Sequence, residues 1–203
     1  MKSDATVNHK VNTKVITKVG ILGAVATVLM LLEFPLWFAP SFYELDFSEV
    51  PVLLGAFALG PAAGAMIELV KILINFVVNG TDTGGVGEFA NLLIGCSFIV
   101  PAGYIYKRNK SFKTAILGLV AGTITLAVMG ALLNYYLLLP LYSKIYGYPL
   151  QAFIDMGNAL NPAITDLKTF VLYAVVPFNL LKGITVSAIV ILIYKKLSPI
   201  LHR

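Results

Sequence analysis

The stretch from Glu33 to Pro61, EFPLWFAPSFYELDFSEVPVLLGAFALGP, decides the fold of this chain. It places an aromatic, proline-broken and acidic loop between two strongly apolar runs. Such a loop cannot lie among lipid tails, because each unpaired backbone group would cost several kcal/mol there. Residues 33–49 are therefore predicted to lie at the membrane surface as a lid, folded back over a cavity for a planar organic ligand. Aromatic rings supply its flat apolar surface, and four acids are expected to keep one side in water: Glu33, Glu44, Asp46 and Glu49.

The composition indicates an integral membrane protein. Of the 203 residues, 58% are apolar and 12% are charged, whereas soluble domains carry about 25% charged residues. Long apolar runs recur along nearly the whole chain, so residues 1–203 are expected to form a single transmembrane domain. The lone cysteine, Cys96, can form no internal disulfide, and both histidines, His9 and His202, lie in the tails. We therefore predict no metal site, no cofactor, no nucleic-acid partner and no catalytic constellation.

Six apolar spans can be drawn, which predicts a compact all-α bundle of six transmembrane helices. A helix rises about 1.5 Å per residue, so each span is long enough, or nearly so, to cross a hydrocarbon core of about 30 Å. The second span is the shortest. The predicted spans are Val15 to Leu32, Val50 to Leu59, Pro61 to Val78, Val86 to Tyr106, Phe112 to Tyr142 and Leu167 to Tyr194.

The basic residues predict the orientation of this bundle. Most of them lie in the tail 1–14 and the following turn, in the connection 107–113, and in the tail 195–203. Six crossings place these three segments on one side, which the positive-inside rule makes cytoplasmic. Both termini are thus expected in the cytoplasm of a multi-pass cell-membrane protein. The loop 33–49 and the loop 143–165, which is predicted to contain a short amphipathic helix, are expected outside.

Polar side chains inside the spans are expensive and are therefore candidate site residues. Glu68 and Lys71 are three residues apart on one helix face and are expected to neutralise one another or a partner helix, although a proton relay stays open. Asn75 lies one turn beyond Lys71.

The last span carries a second polar group. Lys168, Asn179 and Lys182 are spaced so that they fall near one helix face, and we favour a ligand contact for Lys182. Pro177 leaves the carbonyl of Tyr173 without its usual helical partner and predicts a kink.

Two further features are weaker signals. Asn134 lies in the fifth span, just before two tyrosines. The glycine-rich turn TDTGGVGE, residues 81–88, allows close backbone approach through Gly84, and Thr83 lies near the start of the next helix. This turn is equally well explained as a flexible connector or as a ligand-facing segment.

Small residues predict close helix packing. Gly20 and Ala24 in the first span, and Gly118 and Gly122 in the fifth, have the small-xxx-small spacing that lets helices approach closely in lipid. Internal packing is the default interpretation. For Gly20 and Ala24, a docking face for another membrane protein is the alternative.

At this point the residues resemble a known family. The stretch from Leu32 to Asn91, with its runs FPL-x-F-x-P-S-F, LDFSE-x-P and E-L-x-K-x-L-x-x-F, closely resembles the riboflavin-specific substrate-binding (S) component of energy-coupling-factor (ECF) vitamin transporters. The chain length, the six spans and the basic ends extend the resemblance over nearly the whole chain. Family members often carry Ala-xxx-Ala in the first helix, whereas this chain has glycine at the first of those positions, Gly20.

The resemblance implies a function and a set of site residues. It implies capture of riboflavin at the outer face and docking, through Gly20 and Ala24, onto a membrane coupling subunit with two cytoplasmic ATPases. The expected riboflavin-binding residues are Asn134, Asn179, Lys182, Phe42, Tyr43, Thr83, Gly84, Lys71 and Asn75. Two alternatives stay open: a self-sufficient proton-coupled vitamin carrier using Glu68 and Lys71, and a membrane-embedded transferase or hydrolase.

Overall fold

The structure is a computed structural model that describes residues 13–81 and 83–201, so most of the predicted tail 1–14 and the end of the tail 195–203 lie outside it. The described chain is almost entirely helical. Its helices are α1 (Thr13–Met30), α2 (Glu49–Leu59), α3 (Pro61–Asn79), α4 (Val86–Arg108), α5 (Phe112–Leu133), α6 (Leu139–Tyr146), α7 (Leu150–Leu160), α8 (Leu167–Phe170) and α9 (Val176–Leu201). Two π-helical segments, Asn134–Leu138 and Val171–Val175, join α5 to α6 and α8 to α9.

Five helical stretches are long and apolar enough to cross a membrane. They are Thr13–Met30, Pro61–Asn79, Val86–Arg108, Phe112–Tyr146 and Leu167–Tyr194, and they match five of the six predicted spans. The remaining predicted span, the second along the chain, corresponds to α2. This helix has only 11 residues, or about 16 Å of helix. Nine of those residues are buried, from Glu49 to Phe57. Because α2 is apolar on all sides, it forms the centre of the bundle and contacts α1, α3, α4 and α9.

Glycines set the closest helix contacts. A Cβ atom at Gly118 or Gly122 would come within 2.6 Å of the carbonyl oxygen of Ala102 or Phe98, so α4 and α5 pack backbone to backbone there, as the spacing predicted. Gly20 and Ala24 behave differently. Both are exposed, and a Cβ atom at Gly20 would have nothing within 4 Å, so this pair takes no part in packing inside the bundle.

A loop of residues 31–48 joins α1 to α2 and crosses one end of the bundle; we call it the first loop. It contains a short antiparallel pairing of β1 (Phe34–Pro35) with β2 (Glu44–Leu45). Its inner side chains are buried, and Ala39 and Leu45 pack with Phe178 of α9. The first loop is therefore a packed element rather than a loose connection.

Both π-helical segments come just before a proline. Pro140 follows Asn134–Leu138, and Pro177 follows Val171–Val175. In each segment a backbone amide donates to the carbonyl five residues earlier, as when the amide of Val176 donates to the carbonyl of Val171. The wider turn accommodates a residue that lacks an amide hydrogen. The predicted disturbance at Pro177 is thus present as a π-helical segment.

Two predictions near these segments were wrong. Lys168 is exposed and lies away from Asn179 and Lys182, because the wider turn between them shifts the helical register that the spacing argument assumed. The loop predicted from Ser143 starts later, since α6 continues to Tyr146 and ends at Gly147, whose φ is +68°. The short helix predicted in this loop is present as α7, in which Phe153 is buried and Leu160 is exposed.

Candidate functional site: a capped cavity at one end of the bundle

A cavity of about 660 Å³ is lined in part by the first loop. Its walls come from this loop, from the end of α3 and the start of α4, from the Asn134–Leu138 segment, and from α9. The volume is within the range of small-molecule sites. Of the nine expected binding residues, seven line it: Asn134, Asn179, Lys182, Phe42, Tyr43, Thr83 and Asn75. The other two, Lys71 and Gly84, are not part of the lining.

Tyr43 connects the first loop to the wall of the cavity. Its hydroxyl donates to Oδ1 of Asn134 at 2.6 Å, and its ring lies 5.4 Å from the ring of Phe178. Burial raises the pKa of Tyr43, and so keeps this hydroxyl protonated and able to donate. The contact joins residues 91 positions apart in the chain. It therefore holds the loop over the cavity.

The two cavity asparagines are oriented in the same way. Nδ2 of Asn134 donates to the carbonyl of Gly130 at 2.8 Å, and Nδ2 of Asn179 donates to the carbonyl of Val175 at 2.9 Å. Each side chain thus uses one N–H on its own helix and keeps its second N–H and its oxygen for other partners. Gly130 makes room for this arrangement, since a Cβ atom there would lie 2.6 Å from Nδ2 of Asn179.

Lys182 is held by the first loop. Its Nζ lies 2.8 Å from Oδ2 of Asp46, and both side chains are buried. The other oxygen of Asp46 accepts from the amide of Ser48 at 2.7 Å. Burial by itself would raise the pKa of Asp46, but the ammonium groups of Lys182 and Lys71 outweigh it and lower that pKa to about 2. Asp46 and Lys182 thus form a buried ion pair that ties the loop to α9.

This pairing corrects the expectation that all four acids of the loop keep one side in water. Asp46 is 2% exposed and Glu49 is 1% exposed. Each carboxylate faces a buried lysine instead, at 2.8 Å and 2.9 Å. Buried charges require such partners. Only Glu33 and Glu44 are exposed at the rim.

Lys71 lies behind the cavity wall in a second charged cluster. Its Nζ is 2.7 Å from Glu68 and 2.9 Å from Glu49, and it donates to Oγ of Ser48 at 3.2 Å. The predicted neutralisation of Lys71 by Glu68 is confirmed, with Glu49 as a second partner. Gly95 leaves the space for the carboxylate of Glu68. The cluster fixes the start of α2 against α3.

Two buried acceptors on the cavity lining have no hydrogen-bond donor within residues 13–81 and 83–201. They are Oε2 of Glu49 and Oδ1 of Asn75. A buried acceptor without a donor costs about 1–3 kcal/mol. Both atoms are themselves covered by the protein, so they are buried polar groups of the cavity wall rather than open binding positions.

The rim of the cavity is formed partly by the glycine-rich turn. Oγ1 of Thr83 accepts from the amide of Gly87 at 2.8 Å and donates to Glu88 at 3.2 Å. Thr83 therefore stabilises the start of α4 and also lines the cavity. Gly84, with φ of +63°, supplies the turn without lining the cavity.

One rim carboxyl has an unusual environment. Partial burial, followed by the charges of Glu44 and Asp46, raises the pKa of Glu33 to about 7. Lys182 opposes this shift only weakly. Glu33 is thus the group of the first loop that changes charge near neutral pH.

Several lining residues were not predicted from the sequence. Asn79 lies four residues after Asn75, and Asn91 lies three residues after Glu88, so helical spacing could have placed both on the same faces as their neighbours. Tyr142 and Phe178 also line the cavity. Nothing in the local pattern distinguishes these two from other aromatic residues of the spans.

Comparisons with known proteins agree on one family. The family model described as "ECF transporter, substrate-specific component" matches residues 14–194. The chain is 39% identical over 203 residues to the riboflavin transporter RibU of Staphylococcus aureus (strain TCH60), and the match covers all of both chains. It is 34% identical to the riboflavin transporter FmnP of Bacillus subtilis (strain 168), over 92% of this chain and 93% of that protein.

A solved structure agrees with the sequence comparisons. It is described as the S component of a bacterial ECF transporter, and it superposes with a TM-score of 0.74 at 37% identity, covering 94% of this chain and 99% of that chain. Fold and sequence thus identify the same family over nearly the whole length. The chain belongs to the substrate-specific components of ECF transporters.

Proposed function

We propose that this chain is the riboflavin-binding subunit of an ATP-driven ECF vitamin transporter, and that riboflavin binds in the cavity under the first loop. One observation carries the proposal: the cavity is capped by a packed aromatic loop and lined by two asparagines whose side chains are already oriented. The names of the relatives from S. aureus and B. subtilis support riboflavin as the ligand.

The chemistry of the lining suits a flavin. Phe42 and Tyr43 supply aromatic surface for the ring system. Asn134 and Asn179 each keep a second N–H, and Asn179 also keeps its oxygen. Riboflavin carries an imide N–H and a chain of hydroxyl groups that can pair with these amide groups.

Burial under the loop accounts for tight binding. A flavin of about 27 heavy atoms at about −0.3 kcal/mol per atom would gain about −8 kcal/mol, which corresponds to micromolar affinity. Capture of a scarce vitamin requires about −12 kcal/mol. The pre-oriented asparagines and the capping loop contribute the difference, because groups that are already ordered lose little entropy on binding.

The proposal includes the six-crossing topology, with both termini in the cytoplasm and the first loop outside as a lid. The charge distribution supports it, since Lys107, Arg108, Lys110 and Lys113 lie at the end of the bundle opposite the first loop. In this arrangement α2 is the remaining crossing. Its short length is compatible with that role because it is enclosed by other helices rather than by lipid.

Coupling to ATP hydrolysis requires other subunits. The exposed pair Gly20 and Ala24 on α1 gives a flat strip that is free of internal contacts. We assign this strip to the transmembrane coupling subunit, which in turn carries two ATPase subunits. The family and its relatives are transporter components rather than enzymes, so the transferase or hydrolase alternative is set aside. Lys71 is paired with both Glu68 and Glu49, and this cluster is explained by structure without proton coupling.

The decisive experiment is purification in detergent followed by absorption spectroscopy and flavin titration. We expect yellow protein or, after removal of bound flavin, stoichiometric quenching of added riboflavin fluorescence. The test variant is Asn179→Ala, on the wall of the cavity. Its matched control is Asn109→Ala, at the far end of α4 and away from the cavity. Wild-type protein that neither carries nor quenches flavin would overturn the proposal.

Uptake into proteoliposomes tests the energy source. We expect riboflavin uptake only when the coupling and ATPase subunits and ATP are present. Uptake driven by a proton gradient through this chain alone would instead support the self-sufficient carrier.

A further inference from the structure

The first loop has a second face that the cavity does not use. On this face Trp37 is 87% exposed, Leu32 is 64% exposed and Phe34 is 42% exposed. The opposite face of the same loop is buried, with Ala39 and Leu45 packed against Phe178. The loop is thus apolar on both sides, and only one side is covered by the protein.

Along the chain, the exposed apolar residues of the first loop follow directly on the exposed side of α1. Val25 and Val28 are exposed on this helix, which is long and apolar enough to cross a membrane. Outside the Gly20 and Ala24 strip assigned to the coupling subunit, exposed apolar residues of such a helix face lipid. Leu32 and Phe34 come two and four residues after the last turn at Met30 and are exposed as well, and Trp37 follows three residues later.

The chemistry of tryptophan fits this place. An indole ring combines a large apolar body with one N–H donor, and tryptophan is enriched where lipid tails meet the headgroups. Within the part of the chain that the structure describes, the only ring contact of Trp37 is edge-on to Phe38, at 5.5 Å. Trp37 does not line the cavity, so stacking on the ligand does not explain it.

We propose that Leu32, Phe34 and Trp37 form a lipid anchor that holds the outer edge of the first loop in the headgroup layer. The partner is the membrane surface, and the evidence for it is continuity with the lipid-facing side of α1. The loop is then fixed on two sides, by Tyr43 and Asp46 toward the cavity and by Trp37 toward lipid. Opening the loop must move Trp37 relative to the headgroups.

The location of Trp37 can be measured directly, because it is the only tryptophan of the chain. Ligand-free protein is reconstituted in phosphatidylcholine vesicles whose acyl chains are brominated either near the headgroup or near the chain end. We expect emission that is blue-shifted relative to a free indole in water, quenched most by the shallow bromine, and poorly quenched by acrylamide. Emission like free indole, with full acrylamide quenching and none by bromine, would overturn the proposal.

Two matched variants calibrate this measurement in a Trp37→Phe background. Tyr136→Trp places the reporter on a 73%-exposed position in the Asn134–Leu138 segment, outside the cavity lining and the first loop. Phe42→Trp places it on the cavity side of the first loop. We expect the Trp37 signal to match the Tyr136→Trp reporter and to differ from the Phe42→Trp reporter. A match to the cavity-side reporter, or a shift of Trp37 emission only when the coupling subunit is added, counts against lipid as the partner.

The kinetic consequence, unlike the location, rests on the proposed function. In vesicles, Trp37→Gln should release bound riboflavin about threefold faster, because the anchor stabilises the closed loop by a weak interfacial contact. Tyr136→Gln, which leaves the first loop intact, should release it at the wild-type rate. Equal release rates for Trp37→Gln and wild type would remove the anchoring role. Absence of flavin binding would leave the bromine result valid, so the two failures are distinguishable.

Discussion

Replacing Asp46 by asparagine tests whether the ion pair with Lys182 holds the lid closed. The change keeps the shape of the side chain but leaves the Lys182 ammonium without its carboxylate partner at 2.8 Å. Removing one member of a buried ion pair costs about 3–5 kcal/mol. If riboflavin binds only when the loop is closed, the loss of the ion pair lowers the population of the closed state. The apparent Kd for riboflavin then rises by the same factor.

The expected size is near the lower end of that range. An asparagine oxygen still accepts a hydrogen bond from Lys182, so we expect about 100-fold weaker binding, which corresponds to about 3 kcal/mol. The measurement is a titration of purified protein by quenching of riboflavin fluorescence, with circular dichroism to verify helix content. Asp155→Asn is the matched control, because Asp155 is an exposed acid of α7 bonded only to Gln151 among the described residues.

The double variant distinguishes a lid contact from a direct ligand contact. Lys182→Met alone should weaken binding as Asp46→Asn does, since it leaves a buried carboxylate without its partner. Combining both changes removes the whole pair, and binding should be no weaker than in either single variant. Losses that add up would show that Lys182 acts on riboflavin independently of Asp46. Wild-type affinity of Asp46→Asn would refute the lid argument itself.

Asn134→Ala removes a pre-oriented amide and should weaken riboflavin binding by about tenfold or more in the same titration; an unchanged Kd would exclude Asn134 from the site. For Glu33 the folded pKa of about 7 exceeds the unfolded value of 4.5, so its contribution to stability is present at low pH and is lost as pH rises from about 4.5 to about 7. Thermal unfolding should therefore show a fall in Tm over this window that Glu33→Gln reduces, and identical pH profiles would contradict it. Gly122→Ala places a Cβ atom 2.6 Å from the carbonyl of Phe98 and should cost about 1–3 kcal/mol of stability. Gly20→Ala should leave Tm unchanged, and equal melting of the two glycine variants would refute the packing argument.

Sequence patterns predicted the local features of this protein well. Hydropathy located five spans to within a few residues, and the three-residue spacing of Glu68 and Lys71 predicted their contact, because both features depend on neighbours along one helix. The pairing of Asp46 with Lys182 could not be predicted in this way, since 136 residues separate them. For the same reason the loop acids were assigned to water, although burial opposite a lysine is equally compatible with their spacing.

The predictions for the cavity residues also differ in whether they depend on contacts that are distant in the chain. Asn134, Asn179 and Lys182 were expected from the resemblance to a family, and the structure places all three on the cavity lining. Lys71 was expected there too, but its distance from the cavity depends on how α2 packs against α3. Lys168 was placed on the wrong helix face because a π-helical turn follows it. Pro177 predicts a disturbance of the helix, but the extra residue in that turn is evident only once the backbone hydrogen bonds are known.

The burial of α2 has a consequence for the biosynthesis of the protein. A segment of 11 residues is too short to be inserted as an ordinary span, and its neighbours include α9, at the end of the chain. Its final environment therefore does not exist until α9 has left the ribosome. Chains truncated before α9 should keep α2 unprotected and become substrates for membrane proteases, so assembly of this bundle finishes after translation rather than helix by helix.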